Sequence, residues 1–189
     1  MRPSTLPIEE RIERAAQHVV RAQLFFEIWF YFESAGNIPV RLNALNQFAN
    51  FFYFDSHAHL IAFIVYIYGL FEDRKDSINL NRLTRELRNI NQVSKVHLID
   101  LDYLFNQAAP IVKKVKYLRH NAIAHRTASK SYNDVFRLAG TTYDELRELT
   151  EIALKIVNHL LRAVYRKEEH FHRLPLTDLD ALVGALARS

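Results

Sequence analysis

At 189 residues the chain is long enough to bury one sizeable core, and nothing in its length requires two. A hydrophobic share of 49% against 24% charged residues excludes intrinsic disorder, and the absence of cysteine excludes disulfides, thiolate zinc sites and cysteine nucleophiles together. The formal net charge of +4 is too small to define a uniformly basic protein, so its distribution carries more information than its total.

Four glycines and five prolines punctuate the chain, mostly where helical periodicity stops or starts, which predicts long helices. Asparagine-glycine and aspartate-glycine turns are missing, as is sustained apolar-polar alternation, so the predicted fold class is all-α. The N-terminal ten residues lack a basic-then-apolar run, so export is not expected and a cytoplasmic location is.

The first helix is expected to open near Thr5 to Pro7 and to run to about Ser34, with Ile8, Ile12, Ala15, Val19 and Phe26 at helical spacing. Its end, Leu24 to Phe32, is too aromatic for one buried stripe and suits either core contacts with several partners or a dimer interface. Gly36, Asn37 and Pro39 predict a loop. Val40 to Phe71 then reads as one long helix, or two broken near Asp55 to His57. Its apolar run from Leu60 to Phe71 is too short to span a bilayer, so a buried helix is expected and no membrane partner. His57 and His59, two apart, point to different helix faces, and no metal site is expected from them.

A short helix is predicted from about Asn79 to Ile90, with Leu80, Leu83 and Leu87 on one side. Helical character resumes at Leu98, with Pro110 either kinking that helix or beginning a new one. Ile111, Val115 and Leu118 form an apolar face, beside which Lys113, Lys116 and Arg119 recur every three residues. After a polar stretch, a short helix is expected around Asp134 to Leu138, closed by Gly140. Thr142 and Glu145 form a capping box that opens the clearest amphipathic helix, reaching Val164. Pro175 and Thr177 introduce a last helix, Asp178 to Ala187, expected to dock on the body or on a partner. The predicted organisation is a bundle over residues 1–165 and a linker with a short helix over 166–189.

Between Tyr103 and Asn133 there is no Asp or Glu, while Lys113, Lys114, Lys116, Arg119, Arg126 and Lys130 supply six cations. The remainder of the chain therefore carries +4 minus +6, or −2, and the basic character is concentrated in this window. Inside it lies Tyr117-Leu-Arg-His-Asn-Ala-Ile-Ala-His-Arg126. Arginine is a permanent cation whose planar donor fork suits phosphate, and histidine exchanges a proton near neutral pH. Arg119 and His125 are thus a minimal kit for acting on a phosphodiester. Six residues apart on an ideal α-helix they are about 120° out of phase, which makes one copy a poor site and points to a two-fold arrangement. The lysines, with Arg126 and Lys130, would hold a phosphate backbone. Internal repeats, glycine-rich phosphate loops, serine triads and the histidine-glutamate motifs of zinc hydrolases are all missing, so neither cofactor nor metal is expected.

Arg119, the polar His120 after it, and His125 resemble the signature of the HEPN superfamily. The surrounding Lys116-to-Arg126 stretch, then Asn133-Asp-Val-Phe, Gly140 and a long closing helix, is similar to its abortive-infection, AbiU-like branch, as is the upstream run Leu70-Phe-Glu-Asp-Arg-Lys-Asp-Ser-Ile-Asn-Leu-Asn-Arg-Leu. The resemblance spans about Phe26 to Val164. It implies an up-and-down helical bundle that dimerises with two motif copies facing each other, and a metal-independent endoribonuclease in active members. Carried over by motif position, Arg119 and His125 would be the catalytic pair, with His120 in the supporting polar position. A non-catalytic RNA-binding or protein-interaction module is the competing expectation, and an antitoxin or nucleotidyltransferase is a further expected partner. Some toxin members carry a tyrosine two residues after the motif histidine. Thr127 stands there in this chain, so control through that tyrosine is not carried over.

Overall fold

The computed structural model describes residues 6–34, 39–74, 77–90, 95–124, 132–165, 168–170 and 174–188. Among them are eight α-helices and one π-helical turn, with no strand. They are α1 (Ile8–Glu33), α2 (Pro39–Gln47), α3 (Ala49–Phe71), α4 (Leu80–Asn89), α5 (Lys95–Leu118), the π turn (Arg119–Ala124), α6 (Tyr132–Ala139), α7 (Tyr143–Tyr165) and α8 (Leu174–Leu186).

α1 is the central element, packed between α3 and α7, and α7 in turn packs on α5. Ile12, Ala15, Val19, Ala22 and Phe26 of α1 are fully buried, and Phe26 meets Phe63 of α3 with ring centroids 5.3 Å apart. Ile12, Val19 and Phe26, taken from water, each contribute about 1.5–3 kcal/mol before the entropy of ordering them is charged. The aromatic end of α1 is core within the chain. Trp29 packs on Tyr143 of α7, while Tyr31 and Phe32 join a second cluster with Ala44, Leu45, Phe52 and Val183. That second cluster seats α8 on the body. Tyr31 Oη donates to Asp180 at 2.8 Å, and Arg41 lies over the Tyr31 ring at 4.0 Å while donating to the same carboxylate. Burial and the Asp180 hydrogen bond raise the Tyr31 phenol to about 12.

Three local expectations are corrected. The chain breaks at Phe48 and not near Asp55 to His57, where α3 is continuous. The polar groups there are satisfied without ending the helix: His59 Nδ1 lies 2.8 Å from the Asp55 carbonyl, and Ser56 Oγ donates to Glu33. Of the two outcomes expected at Pro110, a new helix is ruled out, because α5 continues through it. The buried row Leu101, Leu104, Ala108, Ile111, Val115 and Leu118 runs past it at alternating spacings of three and four, and Pro110 sits on the exposed face. α8 begins at Leu174, four residues earlier than expected, because a proline in the first turn lacks only an N–H that has no intrahelical acceptor.

Three other ends match their sequence signals. Asn79 caps α4 by accepting from the Arg82 N–H at 2.8 Å, and Leu80, Leu83 and Leu87 are buried beneath it. At the start of α7, Glu145 N–H donates to Thr142 Oγ1 and Thr142 N–H donates to a Glu145 carboxylate oxygen, a reciprocal capping box. Gly140 closes α6 at φ +58°, donating to the carbonyls of Phe136 and Arg137.

Candidate functional site

α5 delivers the motif. Leu118 is fully buried and Ala122 nearly so, and these two anchors hold the π turn between the end of α3 and α6. Beyond Leu118 the winding widens to π geometry, in which backbone bonds run to the fifth residue back. Asn121 contributes locally. Its Nδ2 donates to the Tyr117 carbonyl at 2.9 Å, the acceptor that an α-helical Asn121 N–H would have used. The 120° phase expected between Arg119 and His125 assumed an ideal α-helix, and that premise fails across this turn.

Arg119 projects onto α3. Its Nη1 donates to Glu72 Oε1 at 3.5 Å, and its guanidinium carbon lies 4.9 Å from the centroid of the Tyr68 ring. The Arg119 and Glu72 side chains are 24% and 19% exposed, so the pair is shielded but still reachable. A guanidinium stacked on an aromatic face and tethered by one carboxylate has its plane set by the protein, which pre-organises the donor fork. Tyr68 is nearly buried, and that burial, with the Glu72 carboxylate adding to it and Arg119 opposing it, raises its phenol above the ordinary value. His120 stands edge-on to the same ring, centroids 6.2 Å apart.

The structure therefore brings Arg119 and His120 together around Tyr68. His125, Arg126 and Lys130 lie outside the described residues. Lys113 and Lys116 are exposed on α5. Lys114, also expected to hold RNA, donates to the Gly140 carbonyl at 2.8 Å and to Glu145. It thereby ties α5 to the corner between α6 and α7. Tyr68 and Glu72 were not singled out from the sequence. Glu72 lies in the Leu70-to-Leu83 run that carried part of the family resemblance, and Tyr68 precedes that run by two residues, so periodicity alone marks Tyr68 only as a core residue. Among the described residues, no group of three or more His, Asp or Glu side chains gathers as a metal site would require.

A helical bundle whose basic helix ends in an Arg-His-centred turn, held against a neighbouring helix, is of the HEPN class. The AbiU2 family of that class matches residues 6–182, nearly the whole chain, and this protein belongs to it. The match extends beyond the Phe26-to-Val164 span of the resemblance at both ends and takes in most of α8. No curated protein and no solved structure matches the chain.

Proposed function

We propose that this protein is an endoribonuclease that needs no metal, acting as a homodimer with a composite active site in phage defence or a toxin-antitoxin system. The observation that carries the reading is Arg119, partly exposed and held by Glu72 and Tyr68, just past the end of the helix that carries exposed Lys113 and Lys116. RNA brings its own nucleophile. The 2′-hydroxyl attacks the adjacent phosphorus as His125 takes its proton or protonates the departing 5′-oxygen, and Arg119 stabilises the charge that builds on the non-bridging oxygens. The products are a 2′,3′-cyclic phosphate and a free 5′-hydroxyl. Lys113 and Lys116 would neutralise flanking phosphates, so binding weakens as salt rises.

The experiment is cleavage of labelled RNA in EDTA, with end-group analysis. Cyclic-phosphate ends are expected, with cutting abolished in Arg119→Ala and His125→Ala proteins that keep the wild-type circular dichroism. Cutting that survives both substitutions overturns the assignment, and salt-sensitive binding without any cutting replaces it with a non-catalytic RNA-binding module.

A further inference from the structure

α3 is half used by its own chain. Phe63, Ile64 and Ile67 are fully buried within the bundle, where α3 packs chiefly on α1. Another face of the same helix carries Phe51, Phe54, Ala58, Ile61, Val65 and Gly69, which at 3.6 residues per turn fall within an arc of about 80°. Phe51 is 64% exposed, Phe54 70% and Val65 44%. Taking about 200 Å² per ring, the two phenylalanines alone expose roughly 270 Å², a third of what one partner buries in a standard interface.

We infer that this face is a seam for a second copy of the chain, with the two α3 helices side by side and parallel. The inference rests on the composite-site reading above. Three independent observations favour this occupant. From Phe51 to Val65 the spacing alternates three and four, ending three residues before Tyr68, which its own chain buries beside Arg119. That is the heptad seam of paired helices. Asn50, Phe51, Phe54, Asp55 and Ala58 line a hollow on the surface of α3, and the last four have the spacing of the hole that a knob from a facing helix fills. Finally, glycine inside a helix is less favourable than alanine, yet a methyl group at Gly69 would meet, among the described residues, nothing within 4 Å beyond its own stretch of helix. Packing among the described residues does not require glycine there, whereas a closely approaching partner helix does.

Charge agrees with self-association. α3 holds one acidic residue, Asp55, and no Lys or Arg, so identical faces meet without repulsion between basic side chains. Parallel pairing sets Phe51 and Phe54 against their copies at one end and Gly69 against Gly69 at the other. The helices then approach most closely where each chain presents Arg119, and the site is incomplete without that approach.

The cysteine-free chain allows a direct test. Single substitutions Ala58→Cys and Val65→Cys are each expected to cross-link into dimers on mild oxidation, while the exposed α7 control Glu151→Cys is not. Phe54→Lys, with unchanged circular dichroism, is expected to raise the dimer dissociation constant at least about thirtyfold, the factor corresponding to a ~2 kcal/mol interface hot spot. Cross-linking that occurs only when the Ala58→Cys and Val65→Cys proteins are mixed means antiparallel helices and overturns the proposal. A wild-type chain that sediments as a monomer, alone or bound to phosphatidylcholine vesicles, overturns it as well. None of these readouts uses RNA, so a cross-linked parallel dimer that cuts nothing leaves the seam standing and defeats only the ribonuclease reading.

Discussion

Replacing Lys114 by methionine separates a structural lysine from a nucleic-acid-binding one. The ammonium donates to the Gly140 carbonyl at 2.8 Å and to the Glu145 carboxylate, bridging α5 to the turn before α7. Hydrogen bonds from a charged group contribute about 1.5–3 kcal/mol when sheltered. The two side chains are 33% and 29% exposed, so solvent screening reduces the expected loss to roughly 1–2 kcal/mol. In a chain of this size that lowers the melting temperature by about 2–8 °C. The Lys114 hydrogen bond is the main cause holding the Glu145 carboxyl below its ordinary value of 4.5, with the Thr142 backbone and hydroxyl adding to it. A depressed carboxyl binds its proton later in the folded state than in the unfolded one. Its stabilisation is therefore present above 4.5 and is lost as pH falls through the folded value. The stability gap between wild type and Lys114→Met should be full at pH 7 and narrow below that window to the share of the Gly140 bond. Urea unfolding at both pH values, repeated in a Glu145→Gln background, measures it. The reasoning is refuted if the deficit is unchanged without the Glu145 charge, or if Lys114→Met loses as much RNA affinity as Lys116→Met.

Three further outcomes are expected. Glu72→Ala leaves Arg119 over Tyr68 without its carboxylate tether, so steady-state cleavage should lose about ten- to a hundredfold in kcat with KM little changed; a pure KM effect would assign Glu72 to RNA binding. Gly140→Ala forces a Cβ into the left-handed region at φ +58° and should cost about 1–2 kcal/mol in denaturant unfolding, and a neutral result would mean the α6 end relaxes freely. Arg11 grips both Glu86 oxygens while its Nε donates to the Leu6 carbonyl at 3.1 Å, so Arg11→Lys, which keeps the charge but not the fork, should cost about 1–2 kcal/mol by thermal melting. A stability equal to wild type would show that charge alone suffices there.

Where a signal was local, it was readable in one dimension. The capping box at Thr142 and Glu145, the cap at Asn79 and the left-handed Gly140 each involve residues within four positions of one another, so the chain states them without its fold. The same holds for the buried stripes of α4, α5 and α7, since a 3.6-residue period is a property of the helix itself. The break at Phe48 was not legible. Asp55, Ser56 and His57 look like a helix breaker in isolation, yet α3 runs through them, with His59 on the Asp55 carbonyl and Ser56 on Glu33.

Of the candidate site, the residue types and the acid-free window around Arg119 were in the sequence, because charge and side-chain chemistry do not depend on conformation. Long-range pairing decided the rest. Lys114 and Glu145 are 31 positions apart, and Arg119 and Glu72 are 47 apart, so nothing in local periodicity distinguishes a pinned cation from a free one. The sequence by itself determined an all-helical bundle and an arginine suited to phosphate. The tertiary structure alone decided that this arginine lies over Tyr68 beside Glu72, since bringing distant segments together is what packing a core accomplishes.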